Sequence, residues 1–149
     1  MAPLSVPPFQ AAALAVVTLA ASTTSWAAAR AQDATAVRVE LNKLEPLDRS
    51  CRAYLVIDNA APLDYDALKL DLFMFRTDGI IGRRFAVDLG PLKGAKRTVK
   101  LFDLAGTGCD DVGSFLINDV LECRVGGTAA ADCLARLAPA SLAAARLTK

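Results

Sequence analysis

The sequence predicts an all-β fold in which two antiparallel sheets pack face to face. Apolar residues recur with a period of two between Val37 and Lys100, the signature of strands with one buried face. Turn residues punctuate that pattern about every 8 to 12 residues. No 3.6-residue apolar repeat of useful length precedes the tail.

Val37, Val39 and Leu41 alternate with Arg38 and Glu40, giving a first strand that ends near Asn42. Pro46 and Asp48-Arg49-Ser50 mark the turn after it. Cys51, Ala53, Leu55 and Ile57 form the apolar row of a second strand, closed by Asp58-Asn59 and Pro62. Leu68, Leu70, Leu72 and Met74 make the third, and Phe73 and Phe75 lend it a second apolar face, which places it centrally in its sheet with the two phenylalanines in the core. Asp78-Gly79 suits a hairpin turn needing positive φ, and Ile80 to Asp88 returns as the fourth strand. Gly90 to Gly94 is a long turn, Thr98 to Leu104 a fifth strand, and Phe115 to Cys123 a sixth. In the tail, alanine favours helix while Pro139 interrupts one, and a seventh strand is expected within Leu142 to Thr148. Six to seven short strands of this kind read as an antiparallel immunoglobulin-like β-sandwich, with a small barrel as the alternative.

Residues 1 to 31 stand apart from this pattern. Eleven of them are alanine, and no charged side chain occurs from Met1 to Ala29. The apolar run Phe9 to Ala21 leads to Ala29-Arg30-Ala31, a small-x-small site, so 1–31 read as a signal peptide cleaved before Gln32, with Ala27-Ala28-Ala29 as the neighbouring option. The run is only about 13 residues where a membrane span needs roughly 20. The expected product, residues 32–149, is a single periplasmic or secreted domain without stable membrane insertion.

The chain has 17 basic and 16 acidic residues, and removing 1–31 takes away Arg30 alone, so the exported part is neutral. That balance argues against nucleic acid as a partner. The sequence has no histidine, which excludes Ser-His-Asp and Cys-His catalysis and His-ligated zinc or copper. No enzymatic activity, cofactor or metal is expected.

Cys51, Cys109, Cys123 and Cys133, spaced 58, 14 and 10 residues apart, form an even set that suits two disulfides in an oxidising compartment. Strand order discriminates among the three pairings. With the second strand antiparallel to the fifth, as in immunoglobulin-like topology, Cys109 follows the fifth strand's exit beside the start of the second, at Cys51. At about 3.3 Å per residue the sixth strand carries Cys123 far from Cys109. Cys51 is therefore expected to bond Cys109, and Cys123 to bond Cys133.

Cys51-Arg52-Ala53-Tyr54-Leu55-Val56-Ile57-Asp58-Asn59, Leu70-Asp71-Leu72-Phe73-Met74-Phe75 with Asp78-Gly79, Phe102-Asp103-Leu104 followed by Cys109, and Leu116-Ile117-Asn118-Asp119-Val120 with Cys123 carry a resemblance. Over Val37 to Cys133 the chain resembles uncharacterised exported bacterial proteins labelled Tat pathway signal sequence domain proteins, although it lacks a twin-arginine pair. Phe73-Met74-Phe75 is also similar to the Phe-x-Leu-Tyr-Asp signature of small extracellular β-sandwich modules, with Arg76 where the Asp stands. Neither resemblance implies a catalytic residue.

Three constellations were weighed for chemistry. Asp110-Asp111 offers oxygens to a calcium ion but matches no EF-hand spacing and reads as a solvated loop. Asp64 and Asp66, flanking Tyr65, are the only aromatic-flanked carboxylate pair. From Arg76 to Lys100 there are seven basic and two acidic residues, and from Asp103 to Asp132 six acidic and one basic. Such segments either form two charged faces, one suited to an anionic partner, or pair across neighbouring strands. The reading is a non-catalytic module binding a partner protein or envelope component. The alternative is a small-ligand or metal-binding carrier. Mass spectrometry of the exported protein is expected to find an N-terminus between residues 30 and 32, and an intact Met1 in the membrane fraction would contradict this.

Overall fold

A computed structural model describes residues 36–149; the expected signal peptide, 1–31, lies outside the described residues. The described chain forms nine strands and two short helical turns. They are β1 (Val37–Leu47), β2 (Ser50–Asn59), β3 (Tyr65–Arg76), β4 (Ile81–Asp88), β5 (Lys96–Ala105), a 3-10 turn (Cys109–Asp111), β6 (Val112–Val125), β7 (Thr128–Ala129), α1 (Cys133–Arg136), β8 (Leu137–Ser141) and β9 (Arg146–Thr148).

Two sheets share one core. The first has the order β5-β2-β1-β8; the second runs β4-β3-β6-β7, with β9 also pairing to β6. The pleat explains the core. Val37, Val39 and Leu41 of β1, and Cys51, Ala53, Leu55 and Ile57 of β2, face Leu68, Leu70, Leu72 and Met74 of β3 and Phe115 and Ile117 of β6. Phe85, Phe102 and Phe115 meet at ring-centroid distances of 5.3 to 6.3 Å, two of the pairs edge-on, the geometry aromatic quadrupoles favour.

Two features depart from the sequence expectation. Nine strands replace six to seven, and both sheets are mixed rather than antiparallel, because β8 lies parallel to β1 and β9 parallel to β6. The cause is the tail. It carries only short segments without alternation: β9 is the strand expected within Leu142 to Thr148, while β8 is an additional one, and the two pair to different sheets. Pro139 sits in β8, an edge strand bonded only to β1, where a missing N–H costs nothing. The crossing at Leu142–Ala145 is held by Leu142 N–H donating to Leu41 O at 2.9 Å and by the Ser141 hydroxyl donating to Ala145 O at 2.6 Å.

β3 is central, between β4 and β6. Phe73 and Phe75, however, lie half-buried on its outer face, not in the core, because the pleat gives the inward positions to Leu68, Leu70, Leu72 and Met74. The β3–β4 turn uses Gly79 at φ +83°, with the Asp78 carboxylate accepting from Ile80 N–H at 3.0 Å. Gly113, at the start of β6, is required sterically: a Cβ there would lie 2.5 Å from Arg76 O.

The disulfides are Cys51–Cys109 and Cys123–Cys133, with Cα separations of 4.9 and 6.5 Å, inside the reach of a bridge. Cys51 pairs across the ladder with Leu104, so the short turn after β5 brings Cys109 back to it. Cys123–Cys133 anchors α1 to β6. Loop-closure entropy predicts that replacing Cys51 and Cys109 by alanine costs about 4 kcal/mol, and replacing Cys123 and Cys133 about 3 kcal/mol. Urea unfolding of the two double variants measures that order.

Candidate functional site

The carboxylates singled out in the sequence do not converge. Asp64 accepts from Lys93 Nζ at 2.7 Å and from Gly94 N–H at 2.8 Å, and the Lys93 ammonium holds its carboxyl below the usual range. Asp66 turns to a different loop and accepts from Gly127 N–H at 2.6 Å. Tyr65 between them is buried. Each carboxylate ties down a turn. Asp110 and Asp111 form the 3-10 turn that starts β6. Among the described residues no three carboxylate or cysteine side chains gather to hold a metal ion.

The basic segment is neutralised locally. Arg84 pairs with Asp71, Lys93 with Asp64 and Arg97 with Asp58, at 2.7, 2.7 and 2.8 Å. Arg52 meets Asp103 at 2.7 Å. Arg83 donates to Ala105 O at 3.0 Å, tying β4 to β5, and Lys100 donates to Gly90 O, in the turn after β4, at 3.1 Å. The carboxylate partners of Arg84, Lys93 and Arg97 thus come from β3, β2 and the turn between them rather than from Asp103 to Asp132.

Among the described residues one charged group is buried. Asp71, on the outer side of β3, is 2% exposed. It accepts two hydrogen bonds from Arg84, at 2.7 and 3.1 Å, and one from Asn118 Nδ2 at 2.8 Å. The Arg84 guanidinium holds its carboxyl below the usual range, and the same guanidinium sits over the Phe73 ring at 5.4 Å. This cluster fastens β4, β3 and β6 together from outside. Sequence reasoning missed it because the strand was read as apolar on both faces.

The surface feature without a structural explanation is apolar. Ile80 and Ile81, at the β3–β4 turn, are 62% and 54% exposed; Val99 and Leu101, on β5, are 56% and 55% exposed. Two adjacent isoleucines break a period-two pattern, and that was the available signal for the first pair. For the second, Val99 and Leu101 share parity with Arg97 and Asp103, not with core residues Phe102 and Leu104. Open grooves flank the tail. One, of about 620 Å³, lies along Asp119–Arg124 and α1. Another, of about 550 Å³, lies between β6, α1 and Lys149. A third, of about 500 Å³, lies beside β8 and includes Arg38, Asp58 and Arg136.

Fold and surface together define the class: a disulfide-stapled, all-β two-sheet protein with an exposed aliphatic turn and edge. No family model and no curated sequence matches the chain. Among solved structures, IrmA from Escherichia coli is similar, with a TM-score of 0.55 at 11% identity over 70% of this chain and 90% of that one. At that identity the likeness is one of fold.

Asp71 has a depressed pKa in the folded state, so its contribution to stability is fully present above the unfolded value, about 3.9, and is lost as pH falls through the folded value. Unfolding free energy is expected to hold from neutrality to about pH 4 and then drop, with a shallower acid limb in Asp71→Asn. Chemical denaturation across that range checks it.

Proposed function

We propose that the chain is an exported, periplasmic or secreted, non-catalytic module of immunoglobulin-like type that binds a partner protein or cell-envelope component. Export is supported by the uncharged, alanine-rich leader and by two disulfides, which mark an oxidising compartment. The immunoglobulin-like reading is supported by the strand order β5-β2-β1 in one sheet and β4-β3-β6 in the other, which corresponds to E-B-A and C′-C-F of such sandwiches.

The observation that carries the binding function is the adjacent pair Ile80 and Ile81. They stand exposed at the end of a hairpin whose root is fixed by the Arg84–Asp71 contact and by Arg76 N–H donating to Ile80 O at 2.8 Å. An exposed aliphatic tip of this kind is suited to an apolar patch on a partner surface. A second reading, a small-ligand carrier, draws on the groove of about 500 Å³ beside β8, where Arg38, Asp58 and Arg136 supply polar groups.

Cosedimentation with envelope fragments separates them. Each isoleucine buried at an interface is worth roughly 1.5–3 kcal/mol, so the variant carrying Ile80→Ser and Ile81→Ser is expected to bind at least about tenfold more weakly. Unchanged binding in that variant, or steady turnover by the pure protein, refutes the reading. A copurifying small molecule in native mass spectra, released by Arg136→Ala, establishes the carrier instead.

A further inference from the structure

β5 is an edge strand of ten residues, Lys96–Ala105, paired among the described residues only to β2. Long edges of this kind invite pairing with another chain. We propose that β5 pairs antiparallel with β5 of a second copy of this chain, in the register that sets Lys100 against Lys100 on the twofold axis. The inference is independent of the isoleucine tip.

The argument is one of parity and charge. On β5, the residues exposed on the outer face are Arg97, Val99, Leu101 and Asp103. In the proposed register Arg97 faces Asp103 of the second copy, and Val99 faces its Leu101. Twofold symmetry repeats both pairs. The register within the subunit extends each row inward, because Arg97 lies opposite Asp58, Val99 opposite Val56, Leu101 opposite Tyr54 and Asp103 opposite Arg52.

Four rows therefore cross the joined sheets. The outer two read Asp58, Arg97, then Asp103 and Arg52 of the second copy, alternating in sign throughout. The inner two read Val56, Val99, then Leu101 and Tyr54 of the second copy, apolar throughout. Opposite charges and apolar pairs facing directly across antiparallel strands are the stabilising arrangement. A shift of one residue sets outward side chains against inward ones. A shift by one more in the pairing, which places Leu101 on the axis, sets Val99 against Asp103.

The axis itself carries like charges, yet Lys100 is half-buried and donates to Gly90 O, in the turn after β4 of its own subunit, at 3.1 Å, which draws the two ammonium groups apart. The association is correspondingly weak and dependent on concentration. The charged outer rows confine the apolar edge to this one partner orientation.

Sedimentation equilibrium of the exported, oxidised protein at low salt tests the proposal, with circular dichroism to verify folding. A monomer–dimer equilibrium is expected. Arg97→Asp and Asp103→Arg each set like charges opposite one another at both ends and are expected to weaken dimerisation by about tenfold or more. Mixed in equal amounts, the two variants regain complementary ends and are expected to form the heterodimer. Val99→Lys, at an exposed position, is expected to be a folded monomer under all conditions. A wild-type monomer at the highest attainable concentration overturns the proposal. So does a dimer indifferent to all three substitutions, or a mixture of folded variants that fails to associate.

Discussion

The antiparallel register between β2 and β5, in which Cys51 lies opposite Leu104 and Asp58 opposite Arg97, is the constraint on which most of the molecule depends. It is a single choice of parity. It commits Cys51, Ala53, Leu55 and Ile57 to the core and Arg52, Tyr54, Val56 and Asp58 to the outside. It also sets the distance over which Cys109 must return, and it stacks Phe102 toward Phe85 and Phe115, joining the free edges of the two sheets through aromatic contact rather than through backbone hydrogen bonds.

Charge follows the same geometry. Arg52 with Asp103, Arg97 with Asp58, and Arg84 with Asp71 each link a strand to its immediate neighbour. The first two pairs are well exposed, and their worth lies in fixing which residues face one another more than in stability. The Asp71 cluster differs, since its carboxylate is enclosed by Arg84 and Asn118, and removal of either donor leaves an enclosed acceptor short of a partner.

Strands β1 to β6 were legible because their inward rows, such as Leu68, Leu70, Leu72 and Met74, alternate without interruption. Their ends were not: Tyr65 and Val112 extend β3 and β6 past the alternation, carried by tertiary pairing. The two phenylalanines at 73 and 75 misled because hydrophobicity alone does not say which face is covered; there, a guanidinium from β4 is the cover. In the tail, the expected strand within Leu142 to Thr148 is present as β9, but β8 was illegible for a different reason. Ala138, Pro139 and Ala140 become a strand through β1, a hundred residues earlier in the chain, and no local signal records such a partner. Of the two isoleucines, Ile81 opens β4 as its strand pattern suggests and Ile80 lies in the turn, and beside that turn both stand exposed.

The tail's division between the sheets makes completion of this protein a matter of sequence order. Val37 of the first strand meets Leu137, and Phe115 meets Leu147, so the last elements supplied are those that span both layers on one side. Until they arrive, β1 and β6 each present a bare backbone edge over a partly uncovered core. Before β8 and β9 dock, seven strands are already paired and one flank stands open. The slowest contacts are the longest in sequence, and the interval before they form is when the flank is available to anything else that can lend it a strand.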